Sequence, residues 1–154
     1  LDFYSWDICD QCIANCFEKT VFAYKKAGEW VKREEEFVKR AGFVLMARLA
    51  VSDKKAPENA FLDFFPLIMQ YYDDERNMVK KAVSWAIRQI GKRNLFLNQK
   101  AVDFAEELKK KPSKTARWIA KDVIHDITRE KIMERLKKKQ DNPIMNCPEK
   151  KHKL

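Results

Sequence analysis

Only three glycines and five prolines occur among the 154 residues of this chain, too few for the tight turns and bulges that a sandwich or barrel of short strands requires. Long apolar runs are also missing. The two longest stretches, FVLMARLAV and FLDFFPLIM, are interrupted by Arg48 and by Asp63 and Pro66, so neither reads as a membrane-spanning helix. There is no P-loop, no GxGxxG, no HExxH and no serine in a GxSxG setting, which removes most familiar enzyme classes. Of two histidines, His125 stands near Asp122, Asp126 and Arg129 in no known metalloprotein pattern, and His152 lies in a polar tail. Four cysteines are present, and Cys9, Cys12 and Cys16 form a CxxCxxxC pattern that invites a metal or iron–sulfur reading. Cys147 is the one remaining thiol, and on a helix the first three share a face with Ile13, as small core residues do. Core packing is the expectation, with no metal and no cofactor. Reduced thiols fit a cytoplasmic location, nucleoid-associated in a prokaryote. The first residue is Leu and no signal segment follows it, so the sequence reads as a fragment with more chain upstream.

What is present is helical. Lys, Glu, Ala, Leu and Ile dominate, residues that favour helices joined by short loops, and the length suffices for one domain with its own core. Apolar periodicity predicts a helix over 6–24, capped by Ser5, and another over 28–51. A third covers 60–72, where Pro66 should kink or split it. The next spans 74–94, capped by Asp73 or Asp74, followed by 98–110 with Ala101, Phe104, Ala105 and Leu108 buried. A last helix over 114–138 has Ser113 as its cap. Gly42 inside the second helix costs about 1 kcal/mol relative to Ala, which signals close approach by a neighbour. Trp30, Trp118, Tyr71 and Tyr72 read as packing aromatics. Helix, short loop, helix repeated about three times predicts an all-α fold, an α-solenoid of antiparallel helix pairs, with an up-and-down bundle as the alternative. The repeat domain is expected over residues 5–138 and a basic, disordered tail over 139–154.

Charge is divided unevenly. Residues 1–75 hold ten Lys/Arg against fourteen Asp/Glu, whereas residues 76–154 hold twenty-two against nine. The basic half is where a polyanion such as DNA or RNA would sit. Within it Lys81, Trp85, Arg88 and Lys92 are spaced by four, three and four, forming a basic helical stripe around an indole, with Arg93 adjoining. Val79, Ala82, Val83, Ala86 and Ile90 form a separate apolar face on the same helix. Asp10 follows Trp6 by one turn; it is either a solvated acid near a helix start or a group that stabilises a cationic centre or orients a water. Arg40, flanked by Lys39, either reaches a phosphate or pairs with Glu36 four residues earlier.

The segments SWDICDQC at 5–12, FVKRAGFVLM at 37–46 and AVSWAIRQIGKRN at 82–94, with ARWIAKDVI at 116–124 as a softer match, resemble the DNA alkylation repair family of HEAT-like repeat proteins, the alkylpurine DNA glycosylases. The resemblance implies an all-helical solenoid that grips duplex DNA and excises positively charged N3- or N7-alkylated purines, the first step of base excision repair. Carried over by residue, it implies a catalytic role for Asp10, groove tryptophans at Trp6 and Trp85, and a phosphate contact for Arg40, with Lys39, Lys81, Arg88, Lys92 and Arg93 as further DNA contacts. It implies chemistry without swinging the base into a pocket, unlike ordinary base flipping. Fuller members carry several more helices before the SWD motif, so it also implies that this chain is a C-terminal portion of a longer domain. A monomer acting on damaged duplex DNA, with no membrane partner, is the expectation. The competing reading is a non-catalytic helical-repeat module that binds nucleic acid or a protein.

Overall fold

The computed structural model describes residues 6–13 and 22–141. Ser5, Cys16, Cys147 and the tail beyond Asp141, all of which carried expectations, lie outside the described residues, as do the side chains of Trp6 and Cys9. Every described element is helical: α1 (Trp6–Cys12), α2 (Ala23–Trp30), α3 (Glu36–Ser52), α4 (Glu58–Leu62), α5 (Phe64–Gln70), α6 (Asn77–Gly91), α7 (Leu95–Lys109), α8 (Lys114–Ile127) and α9 (Glu130–Asp141). Among the described residues no helix is long and apolar enough to cross a membrane.

The helices stack in two layers. In the first, α1 packs on α3, α3 on α6 and α6 on α8, the α3–α6 contact being the most extensive. The second layer backs it. Here α2 packs on α3, and α7 packs on both α6 and α8. Aromatic rings join this layer to itself: Tyr24 of α2 meets Phe61 of α4 and Phe64 of α5, and Phe65 of α5 lies 4.9 Å from Phe104 of α7. Helix pairs stacked side by side around a continuous core are the α-solenoid expected from the periodicity. Its core includes Val79, Ala82, Val83, Ala86 and Ile90 of α6 and Ala101, Phe104, Ala105 and Leu108 of α7, each 9% exposed or less.

Several helix boundaries differ from the sequence reading, for local reasons. The fourth helix begins at Asn77, with Arg76 rather than Asp73 or Asp74 at its N-cap and no side-chain cap bond, and α7 begins at Leu95 rather than 98, capped by Asn94, which the sequence reading gave to the end of the preceding helix. The break placed between 24 and 28 falls instead at 31–35, so Ala23–Trp30 is its own backing helix. Lys32 to Glu35 are exposed, and a run of charges with no apolar partner at helical spacing gives a straight helix nothing to bury. The third helix is split into two short pieces as expected, but at Asp63 rather than at Pro66, which then occupies the first turn of α5 where its missing N–H is not needed. The final helix breaks at Thr128, whose hydroxyl donates back to the Ile124 carbonyl at 2.6 Å. The turn lets α9 fold against α7 and α8 and bury Leu136.

Gly42 marks where α2 and α3 touch. A Cβ there would stand 2.6 Å from Val31 Cγ1 and 2.7 Å from the Val31 backbone nitrogen, closer than backbone can yield. Although Ala is the better helix former by about 1 kcal/mol, Gly42→Ala is expected to lower stability by about 1–3 kcal/mol through overpacking, read as a reduced thermal midpoint. An unchanged or raised midpoint would show that the two helices can slide apart freely.

Candidate functional site

Asp10 reaches from α1 to α3, where Arg40 holds both of its oxygens. Arg40 Nη2 donates to Oδ2 at 2.7 Å and Nε donates to Oδ1 at 3.2 Å. The third nitrogen, Nη1, donates to the Met78 carbonyl at the start of α6 at 2.8 Å. The Arg40 side chain is 9% exposed and that of Asp10 23%, so the fork fixes a carboxylate that solvent still reaches. The sequence offered Arg40 a phosphate or Glu36; within the protein its acid is not Glu36 but Asp10, thirty residues away. Distance along the chain hid the pairing.

Beside this clamp a cleft of about 400 Å³ is lined by Arg40, Met78, Lys81, Ala82, Trp85 and Arg88. Helical spacing on α6 puts Lys81, Trp85 and Arg88 on one face, and the α3–α6 packing brings Arg40 against it. Lys81 is exposed, and Trp85 is half-buried with its ring against the core. Trp6 stands four residues before Asp10 on α1, its side chain outside the described residues.

The other cations proposed from sequence are placed differently. Lys39 is buried, 3.8 Å from Asp74 and over the Tyr71 ring. Arg93 lies over the Phe61 ring and donates to the Ala50 carbonyl at 2.7 Å. Both have these partners within the protein. Arg88 sits between two acids of α8, 3.6 Å from Asp122 and 3.5 Å from Asp126. Lys92 pairs with Asp126 as well, and so does Arg129. Asp126, its side chain 4% exposed, is therefore the hub of a charge network along the α6–α8 seam. Burial works against its ionisation, yet hydrogen bonds from Lys92 and Arg129 and the nearby Arg88 charge outweigh burial and hold its carboxyl below the ordinary range. Asp122 also accepts a hydrogen bond from the buried Ser84 hydroxyl.

Trp118 corrects the sequence reading. Expected to pack in the core, it is 40% exposed on α8 with Lys80 Nζ 4.9 Å from its ring centre. Charged residues at 114, 121 and 122 around it were the available signal: an indole at helical spacing from Lys114 and Asp122 belongs to a polar face. Cys12 is half-buried, and among the described residues no group of three or more His, Cys, Asp or Glu side chains is arranged to hold a metal.

A family model described as "DNA alkylation repair enzyme" matches residues 1–127. The matched stretch contains α1 to α8 and ends before α9. No curated protein matches the chain in sequence. Among solved structures, a designed armadillo repeat protein in complex with a (KR)4 peptide is similar over 99% of this chain and 72% of its own, at 16% identity and a TM-score of 0.48.

Proposed function

The chain belongs to the DNA alkylation repair enzyme family, and from that premise we propose that it excises positively charged N3- or N7-alkylated purines from duplex DNA, with Asp10 as its catalytic carboxylate. The observation that carries this reading is the forked Arg40–Asp10 pair, whose Arg40 lines the same cleft as Trp85, Lys81 and Arg88. A carboxylate held in a fixed direction near a basic cleft suits a reaction in which positive charge develops on the sugar. Pairing Asp10 with Arg40 removes the net charge that would repel a phosphate while keeping the carboxylate in a fixed direction.

The chemistry suits these residue types. An alkylated purine already carries positive charge, so its glycosidic bond breaks without a general acid: the bonding pair moves to the base nitrogen and neutralises the leaving base. The sugar left behind develops oxocarbenium charge, which a nearby carboxylate and an aromatic face both stabilise. Asp10 supplies the first and Trp85 the second, with Trp6 assigned beside them on the resemblance. A water adds to C1′ and gives up a proton, for which Asp10 is the available acceptor. Lys81 holds the backbone, and Arg88 and Lys92 join it by exchanging Asp122 and Asp126 for phosphate oxygens.

The direct test is release of 7-methylguanine or 3-methyladenine from methylated duplex DNA at low salt, followed by chromatography of the freed base. No release sinks the reading. Lys81→Gln is expected to weaken duplex binding and to lower the slope of log affinity against log salt by about one, the value of one lost phosphate contact. Equilibrium titrations at four or five salt concentrations measure it, and an unchanged slope would remove Lys81 from the interface.

A further inference from the structure

A second cleft, of about 320 Å³, opens at the far end of α6, about 10 Å along the helix axis from Trp85 at 1.5 Å per residue. Lys54, Glu58, Lys92 and Arg93 line it from the segment after α3, the start of α4 and the turn after α6, and Arg135 and Lys139 close it from α9. It shares none of its walls with the cleft beside Asp10. Two of its cations therefore come from a helix that begins after the family match ends at residue 127.

The charges around this cleft do not cancel. Lys92 has Asp126 as its partner. Glu58, the acid in the lining, accepts a hydrogen bond from Asn94 at 2.7 Å, and Asp53, behind Arg93, accepts from Tyr24 and from the Ala56 backbone. Among the described residues Lys54, Arg135 and Lys139 are paired with no acid. Partial desolvation lowers the pKa of Lys139, and the positive charges of Arg135, Lys54 and Arg93 lower it further. Like charges that crowd one another around an open, solvent-sized space are stabilised by an anion that fills it. Arginine and lysine together suit the oxygens of phosphate, one as a planar fork and the other as a point charge.

We propose that α9 completes a phosphate-binding cleft, in which Arg135 and Lys139 with Lys54 and Arg93 take the phosphate groups of a nucleic-acid backbone or of a free oligophosphate. A backbone in this cleft would extend the DNA path beyond the one proposed above, and in that form the inference rests on the DNA reading. The phosphate chemistry does not depend on base excision.

Undamaged duplex DNA and inorganic tripolyphosphate are the two probes, titrated separately against the full chain. The cleft variant carries Arg135→Gln and Lys139→Gln, both exposed positions. Its control carries Lys137→Gln and Lys138→Gln, which remove the same charge from exposed positions of α9 that do not line the cleft. Thermal midpoints verify that both remain folded. If a backbone occupies the cleft, the cleft variant loses about tenfold in duplex affinity and about two units of salt slope, and the control loses much less. If the ligand is a free oligophosphate, tripolyphosphate binding is lost in the cleft variant alone and duplex affinity is the same in both variants. Equal effects of the two variants on both probes, or no effect on either, overturn the proposal. Base release by any of these proteins is a separate measurement, so failure of the glycosylase reading leaves a result distinguishable from failure of this one.

Discussion

Asp10→Asn is expected to reduce release of 3-methyladenine from methylated duplex DNA by about a hundredfold or more, the scale of losing one preorganised electrostatic group from a reaction centre. Asparagine keeps the size of aspartate and one oxygen for Arg40, so the fork is weakened rather than dismantled. Affinity for undamaged duplex should hold or rise, because the substitution removes a negative charge beside a polyanion while Arg40 remains. Single-turnover release measured alongside equilibrium binding separates the two effects. Parallel losses of rate and affinity would show Asp10 to be a structural partner of Arg40 and nothing more. Arg40→Lys makes the complementary test: a lysine cannot hold two carboxylate oxygens and the Met78 carbonyl together, so rate should fall with Asp10 still present.

The largest stability effect is expected at Asp126. Asp126→Ala would leave Lys92 and Arg88, both largely shielded from solvent, without the buried acid between them, while the more exposed Arg129 loses only a solvated contact, and removing the shared buried member of such a network costs about 3 kcal/mol. For a domain of this size that corresponds to a fall in thermal midpoint of roughly 10 °C. The pH dependence has a definite sign. Because the folded-state pKa of Asp126 is depressed, its contribution is fully present above the ordinary aspartate value, near 4, and is lost as pH falls through the lower folded value. Wild type and variant should therefore differ most above pH 5 and converge in strong acid. A constant difference across that range would mean that packing, not charge, accounts for the effect.

Much of this architecture is legible in the sequence because helix periodicity is a local signal. The buried face of α6 and that of α7 follow from spacing alone, and the cap of α8 follows from its side chain, Ser113 accepting from the Ala116 nitrogen; the cap of α7, Asn94 accepting from the Leu97 nitrogen, read instead as the end of the preceding helix. The missed boundaries lie where no single residue announces a break, as at 31–35, where only a charge run marks it. The site was half legible. Trp85, Lys81 and Arg88 can be grouped by helical spacing, and they do share a cleft. Asp10 with Arg40, Lys39 with Asp74, and Lys92 with Asp126 are contacts between helices, and nothing in a linear charge count says which cations are already matched by acids. Counting charge by half-chain finds the basic half of the molecule; it overestimates how many of its cations are free.

Arg40 has a bearing on dynamics. Its guanidinium bonds simultaneously to α1 and α6 from its seat on α3, so two neighbouring interfaces of the stack share one side chain. Stacked repeats ordinarily loosen one interface at a time, because each unit touches only its neighbours. A shared guanidinium makes separation of α1 from α3 felt at the α3–α6 boundary too. Amide protons of α1 and of the first turn of α6 should then exchange with solvent in a correlated way, as parts of one opening unit. Asp10 keeps its orientation only while that unit is closed, so its direction follows a local folding equilibrium.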